Sequence, residues 1–155
     1  MIRVSRILIA VPLFCSAAAP APQPAPGTLV VEVQNIRVAK GIVHVDVCPE
    51  KQYLGDGCTW AASAPAQFGV TRVTITNLPP GRYAAQAFLD ENKNDKVDQA
   101  LFGIPKEGVG FSNDAKIGFG PPSFKATAFQ YDGSPGIIRF KLRYFMGAKG
   151  PSPAR

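Results

Sequence analysis

The chain is poor in the residue types on which most catalytic and metal chemistry depends. Its 155 residues include one histidine, one tryptophan and three cysteines. The only histidine, His44, lies in an alternating segment and reads as a residue of an exposed strand face. Ser112 and Ser123 fall in loop sequence with no evident base nearby. No Cys-x-x-Cys pair and no histidine next to a cysteine argues for a redox or metal-binding thiol site. The apolar run Ile7 to Phe14 is broken by Pro12 and is far short of the roughly 20 residues that a membrane-crossing helix needs. No window of helical period has convincing length, and no internal repeat is present. Basic residues are not interleaved with aromatics on one face, as stacking on nucleobases would need, so nucleic acid is not an expected partner.

What the chain does have begins with an address. Arg3 and Arg6 precede the short apolar run, and Ser16-Ala17-Ala18-Ala19 supplies the small residues of a cleavage site. Residues 1–18 are expected to be a signal peptide cut after Ala18. A lipidated Cys15 is the rival, disfavoured by the bulky Phe14 before it. Residues 19–27 are a stiff Pro/Ala-rich spacer. Residues 28–146 are expected to form the folded domain and residues 147–155 a disordered tail. The expected location is periplasmic or secreted, with no membrane span. Export leaves Cys48 and Cys58, which in an oxidising compartment are expected to form a disulfide. The 17 basic and 11 acidic residues give +6, and losing Arg3 and Arg6 leaves 15 against 11, or +4.

Period-two patterning dominates the domain. Leu29-Val31-Val33, Val43-Val45-Val47, Phe68 to Thr76, Tyr83-Ala85-Ala87-Leu89, Phe124 to Tyr131 and Gly136 to Tyr144 read as strands. In the last of these, Arg139, Lys141 and Arg143 alternate with Phe140, Leu142 and Tyr144, which gives one wet face and one buried face. Ala39-Lys40-Gly41 reads as a tight hairpin, Asp132 to Gly136 as a turn and Asn77 to Tyr83 as a strand-to-strand corner. The expected fold is all-β: a single antiparallel β-sandwich, prealbumin-like or immunoglobulin-like, of about seven strands. Trp60 is expected to pack in its core. A long Gly/Pro/Phe loop at residues 99–123 carries Phe102, Phe111 and Phe119. Such a loop either folds back on the sandwich or presents aromatics to a ligand.

The segment Asp90-Glu91-Asn92-Lys93-Asn94-Asp95-Lys96-Val97-Asp98 is the sharpest candidate site. Asp90, Asn92, Asn94 and Asp98 occupy positions 1, 3, 5 and 9 of a calcium-type loop, and the Lys96 carbonyl occupies position 7. Position 6 is Asp95 where glycine is usual, and position 12 is Leu101 where a bidentate carboxylate is usual. Glu107 or Asp114, folded back, would have to replace it. Calcium is the candidate ion, and no other cofactor is expected. An Asx turn held by its own hydrogen bonds is the rival. Replacement of Asp90 by Ala is expected to remove any calcium effect and leave the metal-free protein little changed.

Taken with Phe102 to Asn113 and Gly120-Pro121-Pro122-Ser123-Phe124, this loop resembles the bacterial "domain of unknown function 2141" family from about Leu29 to Tyr144. The resemblance implies an exported β-sandwich and supplies no mechanism. The Leu78-Pro79-Pro80-Gly81-Arg82-Tyr83 corner also resembles prealbumin-like and collagen-adhesin B-type sandwiches. The resulting expectation is a non-enzymatic protein that binds or builds, with an envelope protein or glycan as partner. The alternative is a carbohydrate-active or other hydrolytic enzyme using carboxylates of the 90–114 region.

Overall fold

A computed structural model describes residues 25–55 and 57–151. The expected signal peptide, the spacer up to Pro24, Asp56 and residues 152–155 lie outside the described residues. Eight strands run β1 (Leu29–Ile36), β2 (Ile42–Cys48), β3 (Trp60–Pro65), β4 (Gly69–Ile75), β5 (Gly81–Asp90), β6 (Val109–Phe111), β7 (Ala128–Tyr131) and β8 (Gly136–Lys141). One helical turn, α1 (Phe124–Thr127), precedes β7. Among the described residues no helix is long and apolar enough to cross a membrane.

The strands form two sheets. One has the order β4-β1-β8, and the other has β3-β2-β5-β6 with β7 also paired to β5. Their inward faces are the apolar positions of the alternation: Val31 and Val33 of β1, Val43, Val45 and Val47 of β2, Val73 and Ile75 of β4, Leu89 of β5 and Phe140 of β8. Each fully buried side chain of this size stabilises the fold by about 1.5–3 kcal/mol relative to exposure. Trp60 packs against this core, its ring edge-on to Tyr83 at 5.5 Å. The indole N–H donates to the Asn77 carbonyl at 3.0 Å, and the Tyr83 hydroxyl donates to the Pro79 carbonyl at 3.0 Å, which ties the corner down.

Three expectations need correction. The sandwich is not wholly antiparallel, because β8 runs parallel to β1, from Leu29↔Gly136 to Gln34↔Lys141. The turn at Asp132–Pro135 crosses from one sheet to the other and delivers β8 beside the start of β1. There Gly27 N–H donates to the Gly133 carbonyl at 2.8 Å and Gly136 N–H to the Thr28 carbonyl at 3.1 Å. Ala39-Lys40-Gly41 is not a hairpin, since β1 and β2 belong to different sheets and the segment crosses between them. Residues 124–131 are not one strand, because Phe124–Thr127 forms a helical turn and only Ala128–Tyr131 pairs.

On the outer face of the smaller sheet, Glu32 lies between two cations. Its carboxylate accepts from Arg72 Nε at 2.9 Å and Arg139 Nε at 2.5 Å, so Arg139 of the basic stripe is paired within the sheet. Cys48 and Cys58 are joined, with Cα atoms 5.2 Å apart, and close the loop between β2 and β3. Residues Met146 and Ala148 are held by Arg37, whose guanidinium donates to their carbonyls.

Candidate functional site

β5 ends on Asp90, and the chain then turns sharply. The Asp90 carboxylate is fully buried, with Oδ1 accepting from Asn94 N–H at 3.2 Å and Oδ2 from Asp95 N–H at 2.8 Å. Lys93 (φ +60°) and Asp95 (φ +57°) take the left-handed conformation that so tight a loop demands. The neighbouring crossing has to leave room, and at Gly41 (φ +79°) any Cβ would run into the Asp90 carbonyl oxygen. Asn92 Nδ2 and Asn94 Nδ2 donate to the two oxygens of Asp98, at 2.8 and 2.9 Å. Asn94 Oδ1 accepts from Lys96 N–H at 3.0 Å.

Glu107 folds back to the loop from outside it. Buried at the end of the returning segment, it accepts from Glu91 N–H at 2.9 Å and from Asp98 N–H at 3.1 Å. Asp114 does not join; its carboxylate accepts from Lys141 N–H at 2.7 Å. The loop is thus a hydrogen-bonded unit that brings Asn92, Asn94 and Asp98 together at its surface, above buried Asp90 and Glu107. Among the described residues no three His, Cys, Asp or Glu side chains form a group able to hold a metal ion. The donors expected here include two amides and the Lys96 carbonyl, which lie outside that set.

Past Asp98 the chain lies over the outer face of the larger sheet. Ala100 N–H donates to the Ile104 carbonyl at 2.7 Å and Lys106 N–H to the Asp98 carbonyl at 2.8 Å. The return through β6 pairs with β5 from Gln86↔Phe111 to Phe88↔Val109. Between this segment, residues 117–121 and the sheet lies a cleft of about 560 Å³. Its lining is apolar and aromatic, with Asp46 and Gln86 on its floor. Phe102 is 97% exposed and Phe119 fully so, whereas Phe111 and Phe124 are buried. The aromatics of the long loop therefore divide between packing and presentation. Two lining residues, Leu54 (φ +59°) and Phe102 (φ +64°), are bulky apolar side chains held in the left-handed conformation. Such backbone costs on the order of 1–2 kcal/mol per residue and concentrates at functional positions.

One group was not legible in the sequence. On the outer face of the larger sheet, Ser63 Oγ lies 2.8 Å from His44 Nδ1, His44 Nε2 lies 3.1 Å from Asp46 Oδ1, and Gln86 Nε2 donates to Asp46 Oδ2 at 3.1 Å. The hydrogen bond to Asp46 holds the His44 pKa above its usual value, against a smaller opposing effect of burial. Alternation in β2 and β5 puts His44, Asp46 and Gln86 on one face. The sequence showed no strand at Trp60–Pro65, so Ser63 had no assigned neighbour. Ser63 and His44 stand outside the cleft, and only Asp46 and Gln86 line it.

Nothing among curated proteins and nothing among solved structures matches the chain. A family model described as "Uncharacterized protein conserved in bacteria (DUF2141)" matches residues 31–138, a span from β1 to β8 that includes the Asp/Asn loop and the cleft. By that match the chain is a member of the DUF2141 family.

Proposed function

We propose that this is an exported, non-enzymatic binding module of the periplasm or envelope, whose ligand occupies the cleft of the larger sheet. The observation that carries this reading is the pair Phe102 and Phe119, large apolar rings left in solvent at the mouth of an apolar cleft. The carboxylates of residues 90–114 support a structural use rather than a hydrolytic one. Asp90 and Glu107 are buried and hold backbone N–H groups, and Asp114 holds that of Lys141. The test is titration with Nile red, an uncharged apolar dye. Saturable binding should disappear in the double variant Phe102→Ser/Phe119→Ser, whose rings pack nothing and whose melting temperature should be unchanged. Equal dye binding by that variant would remove the cleft from consideration.

The Asp/Asn loop serves in this reading as a calcium-stabilised buttress for the segment that forms the cleft wall. Turning the amides of Asn92 and Asn94 presents their Oδ1 atoms, with Asp98, to a cation. Calcium at about a hundredfold excess over its dissociation constant should then stabilise the fold by about 2.7 kcal/mol. Calorimetry with Asn92→Ala as control reads this directly. No shift at several-millimolar calcium would leave the loop as an Asx turn.

A further inference from the structure

We propose that the cleft selects an organic cation with an apolar body, an alkyl- or arylalkylammonium group; this rests on the cleft being a binding site. Among the described residues Asp46 is the one charged side chain that lines it, in a chain of net charge +6. Among the described residues no lysine or arginine lines the cleft, and the group that offsets the carboxylate when protonated is His44, which stands outside it. Phe88, Phe102, Phe111, Phe119 and Phe145 supply its aromatic surface. Aromatic faces attract cations through their quadrupole, and the attraction grows as water is excluded. Asp46 is also pre-oriented, with one oxygen against His44 Nε2 and the other accepting from Gln86. A carboxylate has about four acceptor positions, so two remain for a ligand.

The three charge types of ligand fare differently. A neutral apolar body packs on the rings but strips water from Asp46 without replacing it, so it binds more weakly than a cation of the same shape. An anion would add repulsion. An ammonium group satisfies both the carboxylate and the rings.

The experiment uses one body in three charge states: 4-phenylbutylammonium, 4-phenylbutanol and 4-phenylbutyrate, titrated to about 10 mM into isotope-labelled protein. Amide shifts at Gln86, Phe88 and Phe111 report cleft occupancy. The cation should bind about tenfold more tightly than the alcohol, and the carboxylate should bind weakest. Asp46→Asn keeps the shape and the contact with Gln86. It should remove the cation's advantage over the alcohol. Equal binding of amine and alcohol to the native protein would overturn the charge selectivity and leave the cleft a binding site. Tighter binding of the carboxylate would overturn it as well. If none of the three moved the cleft amides, both the selectivity and the binding reading would fall.

Discussion

Asp90 looked like a metal ligand because of its spacing, but burial changes what its replacement should do. Both carboxylate oxygens accept backbone N–H groups of the loop, so Asp90→Ala removes the acceptor of two hydrogen bonds that hold its turn. Each such loss costs about 1–3 kcal/mol, and urea unfolding of the metal-free variant should show a loss of at least that order. A variant as stable as the native protein would show instead that water replaces the carboxylate at both N–H groups. Spacing in a sequence reports which side chains share a loop; it does not report which of them the backbone has already claimed. His44 makes a second prediction at this scale. It faces Asp46 and Ser63, meets the Phe88 ring at a tilt with centroids 5.2 Å apart, and lies within reach of the charges of Asp90 and Asp95. Its folded pKa is raised, so protonation favours the folded state. The stabilisation is complete below the unfolded value of 6.5 and is lost as pH rises through the folded one. The stability difference between the native protein and His44→Gln should therefore be larger at about pH 5.5 than at about pH 8.5. A constant difference would contradict the pairing.

The most demanding element is the edge of β5 that carries both β6 and β7. β6 pairs from Gln86 to Phe88 and β7 from Gly81 to Ala84, which leaves Ala85 between them. Ser112 fills the break: its hydroxyl accepts from Ala85 N–H at 2.9 Å and lies 2.5 Å from the Thr127 carbonyl, to which it donates. A single hydroxyl thus stands in for a ladder bond and joins the two short strands. Ser112→Ala should destabilise by about 1–3 kcal/mol and increase amide exchange at Ala85, whereas Ser123→Ala should do neither. Strands with strict alternation, such as β1, β2 and β5, were legible in the sequence. Trp60-Ala61-Ala62-Ser63-Ala64-Pro65 was not, because its small residues carry almost no contrast between faces; β3 exists through its pairing with β2 from Ile42↔Pro65 to Val47↔Trp60. β6 has three residues, too few for any period to register. The loop at 99–123 was legible as unusual. Which phenylalanines it buries was decided by Tyr53, whose ring meets those of Phe111 and Phe124 and whose hydroxyl donates to the Pro122 carbonyl at 2.9 Å.

For the molecule as a whole, the all-β class and the position of the site at the end of β5 followed from periodicity and turn chemistry. The exchange of strands between sheets did not, because pairing partners far apart in sequence leave no local mark. The covalent link between Cys48 and Cys58 acts at this scale by restricting the unfolded chain. For a loop with a separation of 10 residues the contribution is on the order of 3 kcal/mol. Reduction should lower the urea midpoint accordingly and leave the circular dichroism spectrum of the folded state unchanged. The pairing of β8 with β1 has a mechanical consequence. The two strands are parallel, so the leading end of the first and the trailing end of the last lie at opposite ends of one shared ladder. A chain pulled from its two termini would load that ladder along its length. Its bonds from Leu29 to Gln34 would have to yield together rather than peel apart in turn, so the force that opens the domain should be higher along this direction than across the ladder.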